Sequence, residues 1–230
     1  MKSNRGITLK LCLAVVAGVL AFGNAAAQSQ RADADTDDTK TKQAQAVSKE
    51  VYERIQKAQE MVDEKDYQGA LRLLNNLYNP DKLTEYEQAN VLNYIGFVYY
   101  NIDDINNAIR TYERMLAIPT LEPQMAKQTT YTMAQLLTMQ ENYPKALATI
   151  NKWFTLEPHP APEPYILQAQ LFYILNQYKN MIPSIENGMR ISRERDKPVK
   201  EDWWNLLNFA YFQKEDYRKV RDIQKTLLQN

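Results

Sequence analysis

From about residue 48 onward, apolar and polar positions alternate with a helical period, broken at intervals by short polar turns. Five turns share one pattern: EKDYQGAL (64–71), NIDDINNAI (101–109), QENYPKAL (140–147), LNQYKNMI (175–182) and KEDYRKVR (214–221). In each, a polar pair precedes an aromatic or branched residue, and an apolar residue follows three later. Helical periodicity flanks every turn, which predicts ten helices joined in five pairs. A lone helix pair cannot bury its apolar face, so the expected fold is all-α, a solenoid whose pairs stack into one continuous core.

Aligned on the turn, the pairs start near residues 51, 89, 127, 162 and 201, at offsets of 38, 38, 35 and 39. Where the two helices of a pair cross, the residue is small in four of them: Ala58, Gly96, Ala134 and Ala169, with Asn208 departing in the fifth. A second small position holds Ala70, Ala108 and Ala146, and departs with Met181 and Val220. Large residues stand between them at Met61, Tyr99, Leu137, Phe172 and Tyr211. This arrangement resembles the tetratricopeptide repeat (TPR), a helix–turn–helix unit of about 34 residues. The longer offsets imply extended connections such as NPDKLTEYEQ (79–88) and EPHPAPEP (157–164).

The resemblance implies that the first helix of each pair lines a concave wall. Five wall positions per repeat can be assigned, and none of these 25 is Lys or Arg. The chain as a whole is 24% charged, so the wall is unusually neutral. The candidate partner-binding residues are Asn90, Asn93, Phe97, Tyr100 and Asn101 in the second repeat, then Gln128, Tyr131 and Gln135 in the third. Gln170 and Tyr173 follow in the fourth, and Asn205 and Phe209 in the fifth. Amides both donate to and accept from a peptide backbone, and rings offer rigid apolar area, so the set suits a polypeptide segment. The same chemistry also suits a sugar, which makes a peptidoglycan- or glycan-binding envelope module the alternative. Within VLNYIGFVYYN (91–101), Gly96 should mark the crossing, Ile95 and Tyr99 should fill the core, and Asn93, Phe97, Tyr100 and Asn101 should face the groove.

Residues 1–27 differ in character. Lys2, Arg5 and Lys10 precede an apolar run at 11–22, and Ala25-Ala26-Ala27 follows it. This is the construction of a secretory signal peptide, with a run too short to span a bilayer. Cleavage after about Ala27 would place the chain outside the cytoplasm. Residues 28–47 lack aromatic side chains and read as a flexible acidic linker. Residues 48–230 then form the solenoid. Cys12 is the only cysteine, so the processed chain relies on packing without disulfides. Processing removes three basic and no acidic side chains, leaving 25 Lys and Arg against 28 Asp and Glu. That balance gives no overall basic excess for nucleic acid or anionic lipid.

Catalysis has little to stand on. His159 is the only histidine and lies in the proline-rich connection. HExxH, CxxC, GxxxxGK[ST] and GxGxxG are all missing from the sequence, so no metal, cofactor or phosphate site is expected. The expectation is a non-enzymatic binding protein. The chain stops at LLQN within the last helix, where Ile223, Leu227 and Leu228 are expected to leave an apolar face open for self-association or a partner.

Four stretches carry a narrower resemblance: YERIQKAQEMVDEKDYQGAL, TEYEQANVLNYIGFVYYNIDDINNAIRTYERML, YTMAQLLTMQENYPKALATINKWFTLEP and VKEDWWNLLNFAYFQKEDYRKV. They are similar to periplasmic TPR proteins associated with TonB–ExbB–ExbD energy-transduction systems. This resemblance implies a place in the periplasm of a Gram-negative envelope and an accessory role, with an inner-membrane TonB, ExbB or ExbD component as partner.

Overall fold

The computed structural model describes residues 47–228. The expected signal peptide (1–27) and all but the last residue of the expected linker (28–47) lie outside the described residues. Among the described residues there are ten helices and no strand. They are α1 (Lys49–Asp63), α2 (Tyr67–Leu77), α3 (Glu85–Asn101), α4 (Ile105–Leu116), α5 (Pro123–Met139), α6 (Tyr143–Leu156), α7 (Pro162–Ile174), α8 (Tyr178–Glu194), α9 (Glu201–Gln213) and α10 (Tyr217–Leu227). None is long and apolar enough to cross a membrane.

The five shared turns have one geometry. Each places a non-glycine residue in the left-handed region: Lys65, Asp103, Glu141, Asn176 and Glu215, at φ between 57° and 65°. The next residue donates its N–H back five residues, as from Asp66 to the Met61 carbonyl (2.7 Å) and from Asn142 to the Leu137 carbonyl (2.9 Å). This is the Schellman closure that satisfies the last carbonyls of a helix. In four of the turns that residue also caps the second helix. Asp66, Asp104, Asn142 and Asp216 each accept from the N–H three residues on. One dipeptide thus ends the first helix and starts the second, which is why the turns recur so clearly in the sequence.

Two first helices open a full turn earlier than the repeat register. α3 begins four residues before position 89, because Thr84 and Glu87 form a reciprocal capping box there. α5 begins four residues before position 127, where Glu122 caps and Pro123 takes the first helical position. The expected extended connection 79–88 is therefore helical from Glu85, and the proline-rich 157–164 is helical from Pro162.

Packing follows from the small positions. Ala58, Ala134 and Ala169 are almost wholly buried, and Gly96 is buried beneath the Tyr112 ring. The fifth pair departs: Asn208 takes the small position and is half-buried. Its Oδ1 is buried without a hydrogen-bond partner among the described residues. Ile95 is buried, and Tyr99 is partly buried against the core of the first two pairs, as expected.

Each helix packs on its neighbours in sequence, and α1 also touches α3. The Tyr173 ring of α7 lies 5.0 Å from the Phe209 ring of α9, edge to face. These contacts between first helices, at α1–α3 and α7–α9, agree with an inner wall formed by the first helices.

Candidate functional site on the inner wall

The twelve candidate positions lie on four of the five first helices, but they are not equally open. Asn101 and Asn205 are exposed. Asn90, Phe97, Tyr100, Gln128, Tyr131, Gln170, Tyr173 and Phe209 are half-buried. Asn93 and Gln135 are buried, at 6% and 7% exposure. These two amides were expected to face the groove. Neither presents an open surface, because their arc of the helix is covered by packing.

The half-buried members, and the exposed Asn101, are partly committed to the fold. Asn90 Nδ2 donates to the Tyr86 carbonyl (2.8 Å), and Asn101 Nδ2 donates to the Phe97 carbonyl (2.8 Å). Each leaves its side-chain oxygen as the acceptor to offer. Gln128 has its Oε1 buried without a hydrogen-bond partner among the described residues. Tyr131 packs on Trp153 of α6, centroids 5.1 Å apart. Burial pushes its hydroxyl up to about 12, helped by the Glu163 charge. Tyr173 and Phe209 pack on each other, and Tyr178 joins them at 6.2 Å and 5.6 Å. Burial, then the nearby Asp103 charge, raises the Tyr100 hydroxyl as well.

The wall is therefore a shallow surface of ring edges and amides, with open amides at the ends of its array. Tyr52 and Phe212 add exposed rings, at the start of α1 and the end of α9. Cations are scarce on it: α3, α7 and α9 contain no Lys or Arg.

Two clefts lie away from all twelve positions. One, of about 390 Å³, is formed where the proline-rich connection crosses α6 and α7, with Phe154 and Tyr165 rings beside Asn151 and Gln168. Its amides are ordered: Gln168 donates to Asn151 (2.7 Å) and accepts from the Ser184 hydroxyl (2.6 Å). The other, of about 500 Å³, lies between α8, α9 and α10 over Trp204 and Leu207. The only sequence signal for the first was the run EPHPAPEP. The second had none, because its lining is gathered from the sides of three different helices.

The expected apolar face of the last helix is also smaller than its pattern suggested. Ile223 is buried and Leu227 half-buried, leaving Leu228 as the exposed member, at 88%. Among the described residues no cluster of three or more His, Cys, Asp or Glu is placed to hold a metal ion.

No protein-family profile matches the chain, and no curated protein matches it. Solved structures do. A MamA structure from Desulfovibrio magneticus RS-1 superposes with a TM-score of 0.62 at 15% identity, covering 80% of this chain and 96% of that one. A second MamA structure gives 0.63 at 14% identity, over 78% and 90%. MamA from AMB-1 gives 0.61 at 15%, over 76% and 88%. MamA is a TPR-like helical repeat protein. At this identity the likeness speaks to architecture alone, and the architecture is an all-α solenoid of TPR type.

Proposed function

We propose that the protein is an exported, non-catalytic scaffold that holds a polypeptide segment along its inner wall. The observation that carries this reading is the composition of that wall. Successive first helices present amides and ring edges with almost no cations, and Asn101 and Asn205 are open at separate repeats. A peptide backbone offers alternating donors and acceptors along such a surface, and amide side chains pair with either. Ring edges already held by packing add apolar contact at low entropic cost.

The narrower form of the proposal places the protein in the periplasm, as an accessory of a TonB-type energy-transduction complex. The N-terminal pattern and the four resembling stretches support it. Crosslinking in whole envelopes followed by recovery of the chain tests it. Co-recovery of TonB, ExbB or ExbD is the expected result, and recovery of none of the three counts against the narrower form.

The cleft by the proline-rich connection favours a second reading, a glycan module. Phe154 and Tyr165 sit beside two ordered amides there, a pairing of faces and donors that also fits a sugar ring. Sedimentation with purified sacculi decides between the readings. Pelleting without any other protein supports the glycan site, and a chain that stays in the supernatant removes it.

A further inference from the structure

The chain's charges cancel overall, with 28 basic and 28 acidic residues, but the fold separates them. The five second helices (α2, α4, α6, α8 and α10) carry twelve Lys and Arg against four acids. The five first helices carry four against nine. All twelve cations of the second helices are exposed. Among the described residues, only Lys145, Arg190 and Arg221 of the twelve pair with carboxylates, namely Glu113, Glu194 and Asp222. Glu186, the remaining acid, accepts from the Tyr211 hydroxyl (2.7 Å). The exposed faces of the second helices are therefore a largely positive field, whereas the first helices are neutral to acidic and the turns between helices, Glu215 and Asp216 among them, carry more acids than bases.

The field is densest at the last two pairs. α8 contributes Arg190 and Arg193, and α10 contributes Arg218, Lys219, Arg221 and Lys225 within eleven residues. α10 buries only Val220 and Ile223. Its first residue, Tyr217, is 60% exposed, and Leu228, just past its end, is 88% exposed. A basic helix with an exposed ring at one end and an exposed aliphatic residue at the other has the makeup of a surface-lying membrane helix.

We propose that the outer face of α8 and α10 docks on the anionic headgroups of a lipid bilayer, with Tyr217 and Leu228 entering the interface. A bilayer suits the layout better than an acidic protein. The cations are spread over the face at spacings set by helix geometry, and lipids diffuse to meet each one, whereas a folded partner needs matching acids. The proposal does not depend on what the inner wall binds, so either can fail alone.

Sedimentation of the full chain with vesicles tests it. Phosphatidylcholine vesicles containing phosphatidylglycerol are compared with pure phosphatidylcholine. The apolar run at 11–22 is present in every arm, so the readout is the difference between the two vesicle types. Binding to the anionic vesicles alone, lost as salt shortens the screening length, is the expected result. Arg218→Gln with Lys219→Gln and Lys225→Gln should weaken that binding on the order of 100-fold, with the helical circular-dichroism signal kept. Leu228→Ser should weaken it in the otherwise unchanged chain. Equal binding to both vesicle types overturns the proposal, as does undiminished binding at high salt. Binding to polyglutamate as tight as to the anionic vesicles also overturns it, by assigning the face to an acidic polypeptide.

Discussion

Gly96 lies directly beneath the ring of Tyr112: a Cβ built at Gly96 would sit 2.7 Å from Cζ and 2.9 Å from Cε2. Tyr112 is 1% exposed, so its ring has no open side to move toward. The glycine is there because the α3–α4 crossing has no room for a methyl group. Gly96→Ala should overpack the crossing at a cost of roughly 1–3 kcal/mol, less about 1 kcal/mol returned by better helix propensity. In a Tyr112→Leu background the cost of Gly96→Ala should shrink or change sign. Urea unfolding of the four members of this double-mutant cycle measures the coupling. Additive effects would show that the ring is not what excludes the side chain.

Glu87 joins two helix starts. Its carboxylate accepts from the Ser48 N–H (2.9 Å) at the head of α1 and from the Thr84 N–H (3.0 Å) at the head of α3. Burial pushes its pKa up, but these hydrogen bonds outweigh burial and hold the carboxyl below its ordinary range. A carboxyl depressed in the folded state contributes its stability above the unfolded value of about 4.3, and that stability is lost as pH falls through the lower folded value. Glu87→Ala should cost roughly 1–2 kcal/mol at neutral pH. The difference from the parent protein should narrow in acid. A difference independent of pH would mean that the charge of Glu87 contributes nothing.

The burial of Asn93 separates it from Asn101. Asn93→Ala should lower the thermal midpoint, because it removes a buried amide and leaves space in a close-packed interior; a loss of roughly 1–3 kcal/mol is expected. Asn101→Ala should fall within about 0.5 kcal/mol of the parent, as ordinary surface substitutions do. Differential scanning calorimetry of both variants checks the assignment, and the reverse order would place Asn93 on the open wall.

Glu141 holds a left-handed backbone at φ 61° with a side chain that disfavours it. Glycine occupies that region without a Cβ penalty, so Glu141→Gly should stabilise the protein by about 1 kcal/mol despite its entropy cost. A raised urea midpoint is the expected observation. A lowered one would mean that the glutamate side chain makes a compensating contact.

The helix pairs and their turns were legible because one dipeptide both closes a first helix and caps a second, and Asp or Asn stands there four times in five. The left-handed residue before it was not legible, since Lys, Asp, Glu, Asn and Glu hold the position where glycine would have announced it. The crossing position was readable at Gly96 and Ala134. It departs at Asn208, whose Oδ1 is buried without a hydrogen-bond partner among the described residues. Asn93 shares its helical arc with Phe97 and Tyr100, so periodicity gave its side but not how closely packing covers it. The charge separation was hidden by the chain total and appears only when helices are counted by their place in the pair.

The central claim is that the inner wall, formed by the first helices, is where a polypeptide partner lies. Photo-crosslinking residues placed singly at Asn101 and Asn205 on that wall, and at Arg110 and Lys152 on the second helices, test it in intact cells. The account predicts a shared protein adduct from 101 and 205 that is missing from 110 and 152. Protein adducts arising only from 110 or 152 would contradict it.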